Sequence, residues 1–253
     1  MAEIDRIELN ARAQELRVCL GEDEESPVDI FSMAANTEGL TTVFYPLGEH
    51  ISGICIREND IRLIAINSGM SYGRQRYSVA HEFYHLYYDE DAGFNVCSKS
   101  FQTKSYTEKC ADQFASYFLA PYGALRKVIN EFRKDDGIIT VEQVIRLEQY
   151  FGMSHQAMLW RLYSEGIISK SEMNGLSKSV IRNAKRMGYD TRLYRPSAQN
   201  EAQKTYGNYI HKVEQLADNG IISNGKREEL LLDAFRDDLV FGDTSEEEGV
   251  LID

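Results

Sequence analysis

Residues 74–88 read RQRYSVAHEFYHLYY, and within them His81-Glu82-Phe83-Tyr84-His85 forms an HExxH run. Val79, Phe83, Leu86 and Tyr87 recur among its polar residues, so the segment is predicted to be a helix set inside a core. Positions four apart share one face of a helix, so both imidazoles can reach a single ion. Glu82 then stands beside that ion, where its carboxylate can hold and deprotonate a water. Two ligands leave a catalytic zinc site incomplete, because such sites use three protein ligands and keep one position open.

A second helix is expected to bring the third ligand. Glu108 to Leu119 carries Ala111, Phe114, Ala115, Phe118 and Leu119 on an apolar side, and Pro121 marks its exit. Glu108 and Asp112 are four apart and face the same way. Glu108 can bind the ion while Asp112 accepts a hydrogen bond from the outer nitrogen of a histidine ligand, fixing its tautomer. The candidate centre is therefore His81, His85 and Glu108 around Zn2+, with Glu82 as the base and Asp112 behind a ligand. Histidine and carboxylate ligands also suit manganese or iron. Tyr72, Tyr84, Tyr106 and His50 are candidate donors to an oxyanion.

Upstream, Ile4, Ile7, Ala11, Leu16 and Leu20 suggest an amphipathic helix over 3–20 that ends at Gly21. Ser26-Pro27 is expected to cap a second helix that stops near Gly39. Strands are predicted at 41–45, 51–57 and 61–67, the last two joined as an antiparallel hairpin through Glu58-Asn59-Asp60. Between the two metal-site helices, 89–107 reads as a long irregular loop. Helices at 140–150 and 154–163 form a helix-turn-helix pattern. Two more fit 201–218 and 225–237, and the tail GDTSEEEGVLID is predicted to be disordered. The expected division is a catalytic domain over 1–135, a helix-turn-helix-like module over 136–169, a helical region over 170–240 and an acidic tail over 241–253.

The chain has 253 residues and a formal net charge of -12, which disfavours contact with a phosphate backbone. The second helix of the helix-turn-helix pattern offers Arg161 as its cation and Gln156 as a base reader, and Met158, Leu159, Trp160 and Leu162 look like packing residues. Direct DNA binding is thus not expected. The basic stretch 177–195 could form a nucleic-acid patch, but is read first as a solvated helix face or a contact for acidic segments of the same chain. His155 and His211 lack ligand spacing. Cys19, Cys55, Cys97 and Cys110 form no CxxC pair and read as reduced thiols. With no apolar leader and no long apolar run, a soluble cytoplasmic protein is expected.

RQRYSVAHEFYHL resembles the RQRFTLAHELGHLL segment of the ImmA/IrrE metallopeptidases, and EKCADQFASYFLAP, residues 108–121, resembles their E-x-x-A-N-x-F-A-A-x-L-L-M-P helix. The resemblance covers about residues 10–165 and departs at Tyr84, for a common glycine, and at Asp112, for a common asparagine. It places the family's ligands on His81, His85 and Glu108 and its catalytic glutamate on Glu82. It implies an α+β, zincin-like catalytic domain with a small antiparallel sheet and an HExxH helix, followed by a helical region. It further implies an endopeptidase that cuts a helix-turn-helix transcriptional repressor, in a mobile element or stress regulon, and so relieves repression. By analogy with zinc peptidases generally, substrate pairs with a sheet edge, and Ile51, Ser52, Gly53, Ile54, Cys55 and Ile56 form the expected edge. The rival reading is a non-catalytic, metal-binding regulator that binds a repressor or DNA.

Overall fold

The computed structural model describes residues 4–89, 93–98, 105–132 and 138–242. Its elements run α1 (Arg6–Cys19), α2 (Ile30–Asn36), β1 (Leu40–Tyr45), β2 (Ile51–Glu58), β3 (Ile61–Asn67), α3 (Tyr72–Tyr88), β4 (Phe94–Ser98), α4 (Tyr106–Leu119), α5 (Tyr122–Phe132), α6 (Val141–Phe151), α7 (His155–Ser164), α8 (Lys170–Leu176), α9 (Val180–Arg186), β5 (Lys204–Gly207), α10 (Asn208–Asp218), α11 (Asn224–Asp233) and α12 (Asp238–Phe241). The architecture is α+β, as expected. No helix among the described residues is long and apolar enough to cross a membrane.

The five strands form one sheet in the order β4-β2-β3-β1-β5. The predicted β2–β3 hairpin is present, and Asn59 turns it by adopting a positive φ of 50°. The sheet is mixed rather than wholly antiparallel, because β1 runs parallel to β3, with Leu40 opposite Arg62 and Tyr45 opposite Asn67. Hairpin turns force antiparallel neighbours only where strands are joined directly. Here β2 intervenes in the chain but not between β1 and β3 in the sheet.

Helix α3 packs on β2 and β3 with one face and on α4 with another, while α1 covers α4. Phe83, Phe114 and Phe118 are fully buried, and Phe118 meets the rings of Phe83 and Phe114 at 5.7 Å each. Burying such side chains stabilises the fold by about 1.5–3 kcal/mol apiece. Arg17 anchors the end of α1 in this core. Its guanidinium donates to the Phe118 carbonyl at 2.7 Å, the Asp23 carbonyl at 2.9 Å and the Ser26 carbonyl.

Several boundaries differ from expectation. Asp29, rather than Ser26, caps α2, accepting from the Ser32 amide at 3.4 Å, while the Ser26 amide donates to Asp23 at 2.6 Å. The presumed loop 89–107 contains β4, which pairs antiparallel with β2. The helix expected over 201–218 begins only at Asn208, because Lys204–Gly207 forms β5 along β1. This strand ties the region after 169 to the sheet, and the Ser71–Pro196 bridge ties it to the start of α3. The acidic tail expected from 241 lies, from residue 243 onward, outside the described residues.

Candidate active site

Helix α3 carries His81 and His85 one turn apart, with His85 and Glu82 fully buried and His81 nearly so. Helix α4 starts with Ser105 as its cap, whose hydroxyl accepts from the Glu108 amide at 3.1 Å. This fixes Glu108 in the first turn, against the imidazoles. His81 Nε2 and His85 Nε2 are 3.3 Å apart, and the two oxygens of Glu108 lie 3.4 Å and 3.1 Å from them. The sequence-predicted group is therefore brought together.

The outer nitrogens point away from this centre. His81 Nδ1 faces Asp112 Oδ1 at 3.1 Å, and His85 Nδ1 faces Asp89 Oδ2 at 2.8 Å. Each carboxylate holds a proton on Nδ1 and turns a lone pair inward at Nε2. Asp112 was foreseen in this place and Asp89 was not. Asp89 lies four residues beyond His85, a spacing that could have signalled it.

Two inward lone pairs and a carboxylate repel one another unless a cation or a proton lies among them. Burial opposes protonation of His81, but hydrogen bonds to Asp112 and Glu108 outweigh it and push its pKa up to about 9. Burial likewise works against an ionised Glu108, yet its bonds to His81 and His85 hold it far below the usual carboxylate range. A divalent ion suits the same space. Nitrogen and oxygen ligands about 2.0–2.1 Å from zinc, at tetrahedral angles, stand about 3.3 Å from one another, close to the three spacings found here.

Glu82 is held differently. Its Oε2 accepts from the Cys97 thiol at 3.4 Å, while Oε1 is buried with no hydrogen-bond partner among the described residues. Burial raises its pKa, against the pull of His81 and His85. The carboxylate lies over Gly53 of β2, where an added Cβ would meet Oε1 at 2.3 Å. Gly53 thus makes room for the Glu82 carboxylate, at an irregularity in the pairing of β2 with β4.

Strand β4 adds two residues that the sequence reading passed over. Asn95 Nδ2 lies 3.1 Å and 3.3 Å from the two ring nitrogens of His85, so its amide sits over the ring face, and it reaches Glu108 Oε1 at 3.4 Å. Cys97 Sγ is 3.8 Å from Glu108 Oε1 and belongs to one cluster with His81, His85 and Glu108, all of whose donor atoms lie within 4.8 Å of one another. Burial and the carboxylates of Glu82 and Glu108 push its thiol well above the ordinary range.

The expected substrate edge is corrected. Ile51, Ser52, Gly53, Ile54, Cys55 and Ile56 lie in β2, which is paired with β3 on one side and β4 on the other. The edge strand on this side of the sheet is β4. Of the candidate oxyanion donors, Tyr72 packs between Phe31 and Arg192, Tyr84 lies among Tyr88 and Phe114, Tyr106 is half-exposed on α4 and His50 is exposed in the turn before β2.

The two helices read from the helix-turn-helix pattern are present as α6 and α7, joined through Gly152 at a φ of 65°. Arg161, its one cation on α7, is turned inward. It donates to the Ala120 carbonyl at 3.1 Å, lies 3.4 Å from Glu165 and covers the Tyr117 ring at 3.9 Å. His155 pairs with the buried Glu148, which also accepts from the Tyr194 hydroxyl at 2.8 Å. Arg192, from the basic stretch, pairs with Glu201 at 2.9 Å.

A buried HExxH helix on a small sheet, crossed by a second helix bearing a carboxylate, defines a metallopeptidase of α+β architecture. Residues 35–163, just over half of the chain, match the IrrE N-terminal-like domain, peptidase family M78, and the chain belongs to that family. No curated protein matches the chain at a significant level.

Proposed function

We propose that this protein is a zinc endopeptidase that cuts a helix-turn-helix transcriptional repressor and thereby relieves repression. His81, His85 and Glu108 hold the metal, and Glu82 is the general base. The observation that carries the reading is the buried Glu82 carboxylate, whose Oε1 has no hydrogen-bond partner among the described residues, beside three converging donor atoms. A pure binding role gives no reason to bury a carboxylate there, since burying it with only one oxygen hydrogen-bonded costs free energy.

Zinc, when bound, would acidify a water and polarise the scissile carbonyl. Glu82 takes the water's proton and passes it to the leaving amine. Burial raises its pKa above the ordinary carboxylate value, which favours the protonated form it takes after accepting the water's proton. Asp112 and Asp89 keep the imidazoles in the ligating tautomer. Gly53 keeps the carboxylate in reach. Substrate backbone would pair with the outer side of β4, the edge strand nearest the site. The repressor as substrate rests on the resemblance to ImmA/IrrE peptidases. DNA is set aside as a partner because Arg161 is buried and the chain is acidic.

The test is cleavage of a helix-turn-helix protein encoded by a neighbouring gene, by wild type and Glu82→Gln at equal zinc content. The glutamine keeps the shape and removes the base, so the chemical step should slow by at least ~10²-fold, with the metal retained. Full derepression by the glutamine variant, with the repressor left whole, would make the protein a binding regulator instead.

A further inference from the structure

The geometry points to Cys97 as a fourth, thiolate ligand of the metal, which closes the catalytic position and keeps the peptidase latent. The inference rests on the metallopeptidase reading above.

Cys97 is not an isolated thiol. It is buried, and its Sγ lies in one cluster with a ring nitrogen of His81, a ring nitrogen of His85 and a carboxylate oxygen of Glu108. A sulfur about 2.3 Å from zinc and an oxygen about 2.0 Å from it, at a tetrahedral angle, stand about 3.5 Å apart. Cys97 Sγ and Glu108 Oε1 are 3.8 Å apart, a few tenths of an ångström from that spacing, and no two donor atoms of the cluster are more than 4.8 Å apart. A second observation points the same way. The sulfur lies 3.4 Å from Glu82 Oε2, in the space between the base and the metal ligands, where the attacking water has to sit. Glu82 Oε1 has no partner there among the described residues.

Strand pairing fixes this placement. Cys97 stands opposite Gly53, whose missing side chain admits Glu82, so the two residues build one compartment from neighbouring strands. On closing, the S–H bond breaks, its proton moves to Glu82, sulfur binds the metal and a water leaves. This removes the nucleophile and neutralises the base together. Opening reverses each transfer and needs no oxidant. A site with four protein ligands resembles structural zinc centres, whereas catalytic ones keep a position free.

The probe is the metal alone, followed by acetohydroxamate, a small chelator that needs an open coordination position. Wild type, Cys97→Ala and Cys97→Ser are loaded with cobalt(II), and the zinc forms are measured by X-ray absorption. Wild type should show a thiolate-to-cobalt charge-transfer band and a sulfur shell about 2.3 Å from zinc. Both variants should lose these and keep one metal per chain. Acetohydroxamate should bind the alanine variant at least tenfold more tightly than wild type. Bound cobalt with no charge-transfer band, and equal chelator affinity in all three proteins, would overturn the Cys97 assignment and leave the peptidase reading intact. Failure of wild type to bind cobalt or zinc at all would overturn both.

Discussion

Gly53→Ala adds one methyl group at the place where the sheet touches the base. The new Cβ would lie 2.3 Å from Glu82 Oε1, 3.0 Å from its Cδ and 3.2 Å from its Cγ. Ordinary contact begins near 3.4 Å, so methyl and oxygen must part by about 1.1 Å. Glu82 has no exposed surface into which to retreat, and β2 is pinned by β3 and β4. Overpacking of this kind costs about 1–3 kcal/mol. For a chain of this size that lowers Tm by about 2–12 °C. Displacing a reacting group by about 1 Å costs about 10²-fold in rate. The three atoms nearest the new methyl all belong to Glu82 and none to a proposed metal ligand, so zinc content should stay at wild type. Repressor cleavage at matched zinc occupancy, together with a thermal melt, reads both effects. A variant with wild-type Tm and wild-type kcat would refute the claim that Gly53 makes room for the base.

Two other perturbations probe the metal site. Asp112→Ala removes the acceptor for His81 Nδ1 and should weaken zinc binding about 10–100-fold, with Asp112→Asn recovering part of the loss, as read by competition with a chromogenic chelator. Metal must displace the proton that His81 holds up to a pKa of about 9, so apparent zinc affinity should rise about tenfold per pH unit from about pH 7 to about pH 9 and level off above. The sign for the metal-free fold is opposite. His81 is raised from 6.5, so its stabilising contribution is complete below 6.5 and is lost as pH rises through about 9. Zinc affinity that stays flat across that range would mean His81 carries no proton to displace.

What the sequence showed most clearly were features with a fixed spacing. His81 and His85, and Glu108 and Asp112, are each four apart, and a helix converts that number directly into a shared face. The β2–β3 hairpin was legible because Asn59 and Asp60 sit between two apolar runs. Strand β4 was not, because it has five residues and turns Asn95 and Cys97 toward the site, where an alternation rule looks for apolar side chains. The parallel pairing of β1 with β3 depends on a register between strands that are not consecutive. Arg17 and Arg161 are fully enclosed, although composition alone places arginine outside; their partners are mostly backbone carbonyls, which any residue can supply and no pattern reveals.

The strand Lys204–Gly207 has a bearing on how the protein is born. It covers the outer side of β1, with Thr205 buried opposite Val43 and Phe44 meeting the ring of Tyr206 at 6.0 Å. A ribosome delivers β1 well over a hundred residues before this partner. Until the last fifth of the chain emerges, the nascent sheet carries an open flank with unpaired amides and carbonyls, the kind of surface that recruits another strand. The same flank would be bared in a fragment trimmed to the family-matching stretch 35–163, which contains every proposed metal ligand and the base but not the strand that seals the sheet. The proposed hydrolytic residues and the strand that closes the sheet thus lie far apart in the sequence, so a product truncated between them would carry the proposed chemistry in an unfinished fold.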